Sequence, residues 1–288
     1  MPAVSVIIPT FNRAEFVGQA VESVLNQRYD DREVIVVDDG SDDATSDVLR
    51  SYEGEIQVLM QPNQGVSAAR NTGIAAASAE LITFLDSDDL WLPGKLEAQV
   101  DFFRTHLGAL ICQTEEIWVR DGVRVNPKQR HRKPQGDIFE RSLALCLVSP
   151  SAVMMRRSLF EEVGLFDEKL PACEDYDLWL RVANRYPVHL IDQPLIIKRG
   201  GHDDQLSRAP GLDRYRIIAL NHLLENTPLS DRRFELARET LLNKCAIYIN
   251  GCRKRGKVRQ AGRYQQLADR WRCATPSGDV PRQRPGRI

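Results

Sequence analysis

Short apolar runs alternate with amphipathic segments through the first hundred residues of this chain. Four runs, mostly β-branched, at 4–8, 33–37, 56–60 and 81–85 have the length and composition of buried parallel strands. The segments near 15–26, 44–51, 66–77 and 93–105 carry an apolar face at helical spacing and predict helices. Strands that alternate with helices predict an α/β fold with right-handed crossovers and a sheet covered on both faces.

The pattern is less regular in the second half of the chain. Runs at 109–119, 151–155 and 189–191 predict further strands, residues 175–186 predict a helix, and 212–271 is a charged helical stretch. Residues 120–135 are polar and basic without an apolar period, which predicts a mobile loop. The last fifteen residues are rich in proline and glycine and predict a disordered tail.

Composition and charge narrow the class of protein. The 288 residues are 42% hydrophobic and 27% charged, as in an ordinary globular protein. A formal net charge of −1 argues against a nucleic-acid partner. The balance is uneven, because residues 251–288 hold eleven Arg or Lys and two Asp, so the C-terminal end is basic.

The six cysteines and the absence of long apolar runs bear on location. No C-x-x-C pair occurs, which favours free thiols in a reducing compartment. Cys245 and Cys252 are seven residues apart and are expected to pack on one helix face. Neither a secretory signal nor a run of membrane-spanning length is visible, so we expect a cytoplasmic protein, soluble or peripheral on the inner face of a membrane.

Polar residues follow the first two strands. Pro9-Thr10-Phe11-Asn12 ends the first, and the spacing of Asn12 and Glu15 matches a capping box with open amide donors for an anion. An ordinary strand–helix turn is an equal alternative. Asp38 and Asp39 end the second strand, where carboxylates bind a ribose hydroxyl or a base N–H. The alternative is an Asp-Gly turn with Ser41 or Asp42 as a helix cap.

Two later segments carry a cation and a pair of acids. Small residues in 63–71 allow a helix to lie close to the sheet, and Arg70 there can present its guanidinium to phosphate or base. Packing with a solvated arginine is the alternative. Asp86 and Asp88 follow the fourth strand, two apart and so on one face of an extended segment, which suits Mg²⁺ or Mn²⁺. Asp89 is a candidate cap for the next helix.

Two further candidates lie late in the chain. Glu174 and Asp175 open a predicted helix, whose dipole keeps a carboxylate ionised, as a general base requires. Stabilisation of the helix start alone is the alternative. His202 lies in a loop after two glycines, where it is either a metal ligand or a structural or solvated side chain.

Together these segments resemble family 2 glycosyltransferases with the GT-A fold. Residues 4–13, 38–41, 63–71, 86–89 and 174–175 follow the order and spacing of that family, and the resemblance covers about residues 3–208. It implies a mixed nucleotide-binding sheet flanked by helices at 1–208. A helical extension at 209–272 and a disordered tail at 273–288 would follow.

The resemblance also implies an inverting transfer and a role for each candidate residue. The donor would be a nucleotide-sugar, with a UDP-sugar as first choice, and the cofactor Mg²⁺ or Mn²⁺. The implied donor-binding residues are Pro9, Thr10, Phe11, Asn12, Asp39, Arg70, Asp86 and Asp88. The implied metal ligands are Asp88, Asp86 and His202, and the implied catalytic pair is Asp175 as base with Glu174 in support.

Departures from the family pattern limit what is implied. Processive members carry Q-x-x-R-W before membrane helices, whereas the segment 266–271 has one residue too many and precedes no apolar span, so we expect single-sugar transfer. The acceptor would be a glycan or a lipid-linked saccharide, as in cell-envelope polysaccharide synthesis, selected by 120–135 and the region after 207. The basic C-terminal end is either a contact for anionic membrane or a solvated face.

Two other functions remain open at this level. A sugar nucleotidyltransferase also combines a nucleotide-binding sheet with acidic metal ligands, but that class generally has a glycine-rich loop after the first strand, and residues 9–12 contain no glycine. A non-catalytic nucleotide-binding relic is the second alternative. The intact acids at 86, 88 and 175 argue against it.

Overall fold

The computed structural model describes residues 1–201 and 211–275. Its strands are β1 (Val4–Thr10), β2 (Arg32–Asp38), β3 (Gln57–Met60), β4 (Leu81–Phe84), β5 (Leu90–Trp91), β6 (Ile111–Arg120), β7 (Val123–Val125), β8 (Val153–Arg156) and β9 (His189–Gly200). The helices before the gap are α1 (Val17–Leu25), α2 (Thr45–Arg50), α3 (Val66–Ala76), α4 (Lys95–Thr105), α5 (Phe139–Ala144), α6 (Ser158–Val163) and α7 (Glu174–Arg185). After it come α8 (Leu212–Asn226), α9 (Asp231–Lys254) and α10 (Val258–Arg272).

The strands of the described residues form one mixed sheet. Its order is β3-β2-β1-β4-β8-β6-β9-β5, with β7 paired to β6. The pairs β1–β2, β1–β4, β2–β3 and β6–β9 are parallel, whereas β8 runs antiparallel to both β4 and β6. The predicted α/β class is therefore confirmed. The carboxyl ends of β1, β2 and β4 lie side by side at one edge.

Both faces of the central strands are covered, as the apolar runs predicted. The run at 56–60 was wrongly predicted to be buried, because β3 is an edge strand and is largely exposed. Val4, Val6 and Ile8 of β1 face a core that includes residues of α1, α2 and α4. Ile7 points the opposite way, because successive strand residues alternate between faces. The core around Ile7 continues without a break through α7 to α8, α9 and α10 and ends at Trp271, so the C-terminal helices share the hydrophobic core of the sheet.

The small residues of α3 permit the close helix–sheet approach that the sequence predicted. A Cβ atom added at Gly73 would lie 2.4 Å from Cγ2 of Ile7, which is inside van der Waals contact. Ile7 is fully buried in β1 and has no free space to retreat into. The absence of a side chain at Gly73 therefore sets the distance between α3 and the central strand.

Two predictions for the second half of the chain were wrong in extent. The predicted strand at 189–191 extends further, because β9 runs from His189 to Gly200. The polar residues that interrupt its apolar run lie opposite Glu115, where the pairing with β6 shifts in register. The segment predicted as a loop contains β7, which returns along β6 after a turn at Asp121 and Gly122, both with positive φ. A 3₁₀ turn at Gln129–His131 follows.

The C-terminal helices account for two sequence features. Cys245 and Cys252 are both buried on α9, as expected, and all six cysteines are free. Trp271 is fully buried and its Nε1 donates to Oδ1 of Asn221 at 2.8 Å, so the segment 266–271 packs α10 against α8. Among the residues described, no helix has the length and apolarity needed to cross a bilayer.

Candidate active site

The end of β1 presents an exposed aromatic ring beside buried polar groups. Phe11 is 44% exposed, while Pro9 and Thr10 before it are buried. Within the described residues the Thr10 hydroxyl has no hydrogen-bond partner. An unpaired buried hydroxyl is unfavourable, so this atom is a candidate for a contact with a ligand that displaces its surroundings.

Asn12 does not form the predicted capping box. The first turn of α1 begins at Val17, and its N-cap Phe16 makes no side-chain capping bond. Asn12 instead adopts a positive φ of 50° and exchanges two bonds with Asp42, one from its Nδ2 at 2.7 Å and one to its Oδ1 at 2.9 Å. That capping interpretation was wrong because Asn12 links the ends of β1 and β2.

The adjacent acids after β2 organise the surrounding loops. Asp39 accepts bonds from Nε2 of Gln61 at 2.7 Å and from the amides of Gln64 at 2.9 Å and Gly65 at 2.7 Å. Asp38 accepts from the amide of Ser41 at 3.0 Å. Neither Ser41 nor Asp42 caps α2, whose N-cap is Ala44. Asp39 thus shapes the start of α3, and its contact with a base stays a prediction.

Asp86, Asp88 and Asp89 lie on a turn after β4 and not on an extended segment. The amide of Asp89 donates to the carbonyl of Asp86 at 2.9 Å, which closes the turn. The buried Ser151 hydroxyl accepts from the amide of Asp86 at 3.1 Å and donates to Oδ2 of Asp89 at 2.7 Å. Asp89 is therefore not a helix cap. Asp86 and Asp88 remain half-exposed beside it.

Arg70 joins the two acidic segments. It is 3% exposed, and its terminal nitrogens donate to Oδ1 of Asp86 at 2.7 Å and to Oε1 of Glu174 at 2.6 Å. Burial alone would lower the pKa of Arg70, but the carboxylates of Asp86 and Glu174 raise it, so the guanidinium remains charged. Its terminal nitrogens are thus already bonded within the chain, and its contact with base or ribose stays a prediction.

Glu174 and Asp175 begin α7 in different surroundings. Burial raises the pKa of Glu174, the charge of Asp175 adds to this effect, and Arg70 opposes it. Asp175 is half-exposed and accepts a bond from the Cys146 thiol, with Sγ 3.4 Å from Oδ2. Cys173 caps this helix with a positive φ of 64°, which turns the chain sharply into α7.

Two cations from β9 enter the acidic region. The ammonium of Lys198 lies 3.3 Å from Oγ of Ser149; burial would lower its pKa, but Glu116, Asp89, Asp86 and Asp175 raise it. The amide of Arg199 donates to Oδ1 of Asp89 at 2.9 Å. Asp89 is buried, and burial with the charge of Asp88 raises its pKa, while Lys198 opposes the increase.

The acids fit a hard cation only in part. Asp86 and Asp88 offer the carboxylate oxygens that Mg²⁺ or Mn²⁺ prefers, and such ions commonly take only one or two protein carboxylates beside substrate phosphates. No cluster of three His, Cys, Asp or Glu with the arrangement of a metal site occurs within 1–201 and 211–275. His202, the third predicted ligand, lies outside the described residues.

Four residues at the site were not predicted from the sequence. They are Cys146, Ser151, Lys198 and Arg199. Ser151 lies in a Ser-Pro-Ser step that interrupts an apolar run, which was a weak signal. The two cations follow an apolar strand core and resemble any solvated strand end. Nothing local to the sequence indicates that β9 brings them to the acids after β4.

Comparisons with known proteins identify the family and the fold. The family model described as "Glycosyl transferase family 2" matches residues 5–164. An uncharacterized glycosyltransferase of Rickettsia typhi is 34% identical over 218 residues, which are 71% of this chain and 65% of the relative. TuaG of Bacillus subtilis, named a putative teichuronic acid biosynthesis glycosyltransferase, is 30% identical over 188 residues, or 64% of this chain and 73% of TuaG. The chain spans from 31% to 65% of the length of five rickettsial relatives.

Solved structures share the fold at low sequence identity. S. aureus TarS 1-349 in complex with UDP-GlcNAc has a TM-score of 0.64 at 18% identity, covering 94% of this chain and 92% of that one. The mannosyltransferase PcManGT from Pyrobaculum calidifontis, in complex with GDP-Man and Mn²⁺, has a TM-score of 0.57 at 18% identity and covers 94% and 82%. From the family match and the mixed sheet, we conclude that this chain belongs to glycosyltransferase family 2 and has the GT-A fold.

Proposed function

We propose that this chain transfers a single sugar from a nucleotide-sugar donor to a hydroxyl acceptor, with inversion at the anomeric carbon. One observation carries the proposal: the guanidinium of Arg70 bonds to both Asp86 and Glu174. It ties the acids after β4 and those that open α7 to a single buried group. A transferase needs donor-binding acids and a base within reach of the same reacting carbon.

The donor side of the proposed site follows β1, β2 and β4. The exposed ring of Phe11 offers a surface for a nucleotide base. The adjacent Thr10 hydroxyl has no hydrogen-bond partner in the part of the chain that the structure describes. Asp86 and Asp88 would hold a divalent metal, with His202 as a third candidate ligand. Such an ion, when bound, offsets the charge of the leaving diphosphate. A UDP-sugar is the first donor to test, since TarS was solved with UDP-GlcNAc.

The acceptor side is assigned to α7. Asp175 is half-exposed in the first turn of the helix, where an acceptor can reach its carboxylate. It would take the proton of the acceptor hydroxyl as that oxygen attacks the face opposite the leaving group. Glu174, held by Arg70, would keep the start of α7 in register with Asp86. Its role is to position Asp175.

A peripheral membrane contact is a separate part of the proposal. Five exposed cations lie around the turn between α9 and α10: Arg253, Lys254, Arg255, Lys257 and Arg259. None of them pairs with a carboxylate in the part of the chain that the structure describes. Each basic residue near an anionic membrane contributes about 1 kcal/mol. Loss of sedimentation with anionic vesicles after neutralising three of these residues would support this contact, and unchanged sedimentation would exclude it.

The experiment is a product analysis with purified protein. UDP-GlcNAc, UDP-glucose and GDP-mannose are incubated with Mn²⁺ or Mg²⁺, and the released nucleotide and sugar are identified. We expect nucleoside diphosphate and, by proton NMR, a free sugar whose first-formed anomer is inverted. Release of pyrophosphate in the presence of nucleoside triphosphate and sugar phosphate would instead identify a nucleotidyltransferase.

Two variants connect that assay to the site. Asp88→Asn removes a proposed metal ligand and should reduce nucleotide release by at least about 100-fold, since metal stabilisation of the leaving group supplies several kcal/mol. Asp47→Asn, on the exposed face of α2, makes the same charge change away from the site and should leave the rate unchanged. Equal rates for both variants would remove Asp88 from the site. If the wild type turns over none of the donors, the protein is instead a non-catalytic nucleotide-binding relic.

A further inference from the structure

One cavity lies outside the cluster of donor and base residues described above. It measures about 260 Å³ and is formed between β6 and the 3₁₀ turn at Gln129–His131. Six of its lining residues matter for its chemistry: Glu115, Glu116, Trp118, Lys128, His131 and Arg132. None of them belongs to the donor or base residues described above, so the cavity is a candidate site for a different ligand.

Trp118 gives the cavity a partly exposed aromatic wall. The other three tryptophans, Trp91, Trp179 and Trp271, are 3%, 2% and 0% exposed, whereas Trp118 is half-buried. Its Nε1 donates to Oε1 of Glu116 at 2.7 Å, which holds the indole in place. The apolar face of a pyranose can pack against such a ring while its hydroxyls face the polar side chains around it.

The charge around the cavity is positive. Residues 120–133 contain six Arg or Lys and one acid. Glu116 is neutralised by the buried Lys133, whose Nζ lies 3.1 Å from Oε2. The remaining cations, Arg120, Arg124, Lys128, Arg130 and Arg132, are exposed and form no ion pair with a carboxylate of the described residues. Glu115 is left as the acid available to sugar hydroxyls.

The pKa of His131 is affected by several of these positive charges. Burial lowers its pKa, and the positive charges of Arg130, Arg120, Lys128 and Lys198 lower it further. The centroid of its ring lies 5.3 Å from the centroid of the Trp118 ring, and both residues line the cavity. The imidazole is therefore uncharged at neutral pH. The side chains around it make the electrostatic potential in the cavity positive.

Lys198 links a residue that lines the cavity to the acids of the proposed site through its charge. Trp118 and Lys198 are partners in the β6–β9 ladder. The ammonium of Lys198 interacts with Glu116 on the cavity side and with Asp175 on the other. Lys198 is therefore affected both by a residue that lines the cavity and by the proposed base, and we expect an acceptor on Trp118 to extend toward Asp175.

We propose that this cavity is the acceptor subsite and that the acceptor is a saccharide carrying a phosphate or carboxylate group. This inference rests on the proposed transferase function. One sugar ring packs on Trp118 with its hydroxyls toward Glu115, and the anionic group binds Lys128 and Arg132. Charge-assisted bonds of this kind are stronger than neutral ones and give specificity for the anion.

The test is binding of matched charged and uncharged saccharides, read through tryptophan fluorescence. The probes are trigalacturonate with its trimethyl ester, and methyl glucoside 6-phosphate with methyl glucoside. Saturating UDP is present so that nucleotide-site binding does not contribute. Since the other tryptophans are buried, the signal should come from Trp118 and disappear in Trp118→Phe. We expect at least about tenfold tighter binding of one charged probe than of its neutral partner.

Two double variants test which cations are used. K128A/R132A should weaken the charged probe by about tenfold or more and leave donor hydrolysis unchanged. R28A/R50A removes two exposed arginines elsewhere and should leave both readouts unchanged. Equal binding of charged and neutral probes, or equal weakening by the two double variants, would overturn the inference.

Two further outcomes distinguish this inference from the proposed transferase function and from a membrane contact. If the wild type binds the charged probe but hydrolyses no donor, the transferase function fails and the acceptor role fails with it. If K128A/R132A reduces binding to vesicles of phosphatidylcholine with 30% phosphatidylglycerol but leaves saccharide binding unchanged, the basic surface is a membrane contact and the inference is wrong. Loss of saccharide binding with vesicle binding retained would support it.

Discussion

Arg70 and Glu174 are 104 residues apart in the chain and meet at 2.6 Å in the buried floor of the site. The same guanidinium holds Asp86 at 2.7 Å. A buried charge that loses its partners is strongly destabilising, so neither acid can move away without a large free-energy penalty. Arg70 therefore sets the distance between the donor side and the acceptor side of the proposed site.

Arg70→Lys should weaken both the fold and the activity. Lysine keeps the charge but lacks the forked geometry needed to hold two carboxylates at once. We expect the free energy of unfolding in urea to fall by about 1–3 kcal/mol, because one buried carboxylate loses its bond. Nucleotide release should also fall, by about tenfold or more. Arg104→Lys, at an exposed pair with Asp101, is the control; equal stability for both variants would contradict the account.

The contact between Cys146 and Asp175 predicts a positioning role for a thiol. Sγ lies 3.4 Å from Oδ2, and burial together with the charge of Asp175 raises the pKa of Cys146, so the thiol stays protonated and donates. Cys146→Ser keeps a donor and Cys146→Ala removes it. We expect the alanine variant to lose several-fold in kcat with an altered acid limb of its pH profile. The serine variant should recover most of both, and matching profiles for the two variants would refute this role.

Gly73→Ala should destabilise the protein because its Cβ would lie 2.4 Å from Ile7. Overpacking of this kind typically costs about 1–3 kcal/mol. Gly262→Ala is the matched control, since it is also a helix interior position and nothing lies within 4 Å of its added Cβ. That variant should be neutral or more stable by about 0.5–1 kcal/mol. Thermal or urea unfolding of both variants decides the point, and a stable Gly73→Ala would contradict it.

Lys95 predicts a pH-dependent stability. It is fully buried, its Nζ bonds to Oε1 of Gln99 at 2.6 Å, and burial lowers its pKa from 10.5 to about 7. Between these two values the unfolded chain binds more protons, so this lysine makes stability rise with pH from about 7 to 10.5. Below about 7 the buried lysine is charged in both states, and its destabilising effect is then greatest.

Lys95→Met should remove that dependence. The gain in unfolding free energy over the wild type should be largest near pH 7 and shrink toward pH 10.5. Lys257→Met, at an exposed position, should give no such trend. Urea denaturation at several pH values measures the difference. A gain for Lys95→Met that is constant with pH would mean that the ammonium is not neutralised by burial.

The parallel half of the fold was readable from the sequence because its signals are local. Buried strands such as β1 and β2 are rich in β-branched apolar residues, and the small residues around Gly73 indicate a helix that lies close to the sheet. The acids at the strand ends followed from the same pattern, since parallel strands end at one edge. The contacts that these acids make, however, are with residues far away in the sequence. Arg70 lies 16 residues from Asp86 and 104 from Glu174.

The errors have physical causes of the same kind. Asn12 and Glu15 had capping spacing, but Asp42 from the next strand end took the Asn12 side chain. Residues 120–135 lacked an apolar period because β7 has only three residues and is largely exposed, so its pairing with β6 left no pattern in the sequence. Lys198 and Arg199 reach the acids only because β9 continues to Gly200 along β6.

The most direct test of the central claim is donor turnover by Asp175→Asn, measured as nucleoside diphosphate release, with donor affinity measured separately. The amide has nearly the same shape and cannot accept the proton, and a general base typically contributes 10²–10⁴-fold. We predict a rate reduced by at least about 100-fold at unchanged donor affinity, with Asp47→Asn at the wild-type rate. Equal turnover by Asp175→Asn and the wild type would contradict the account.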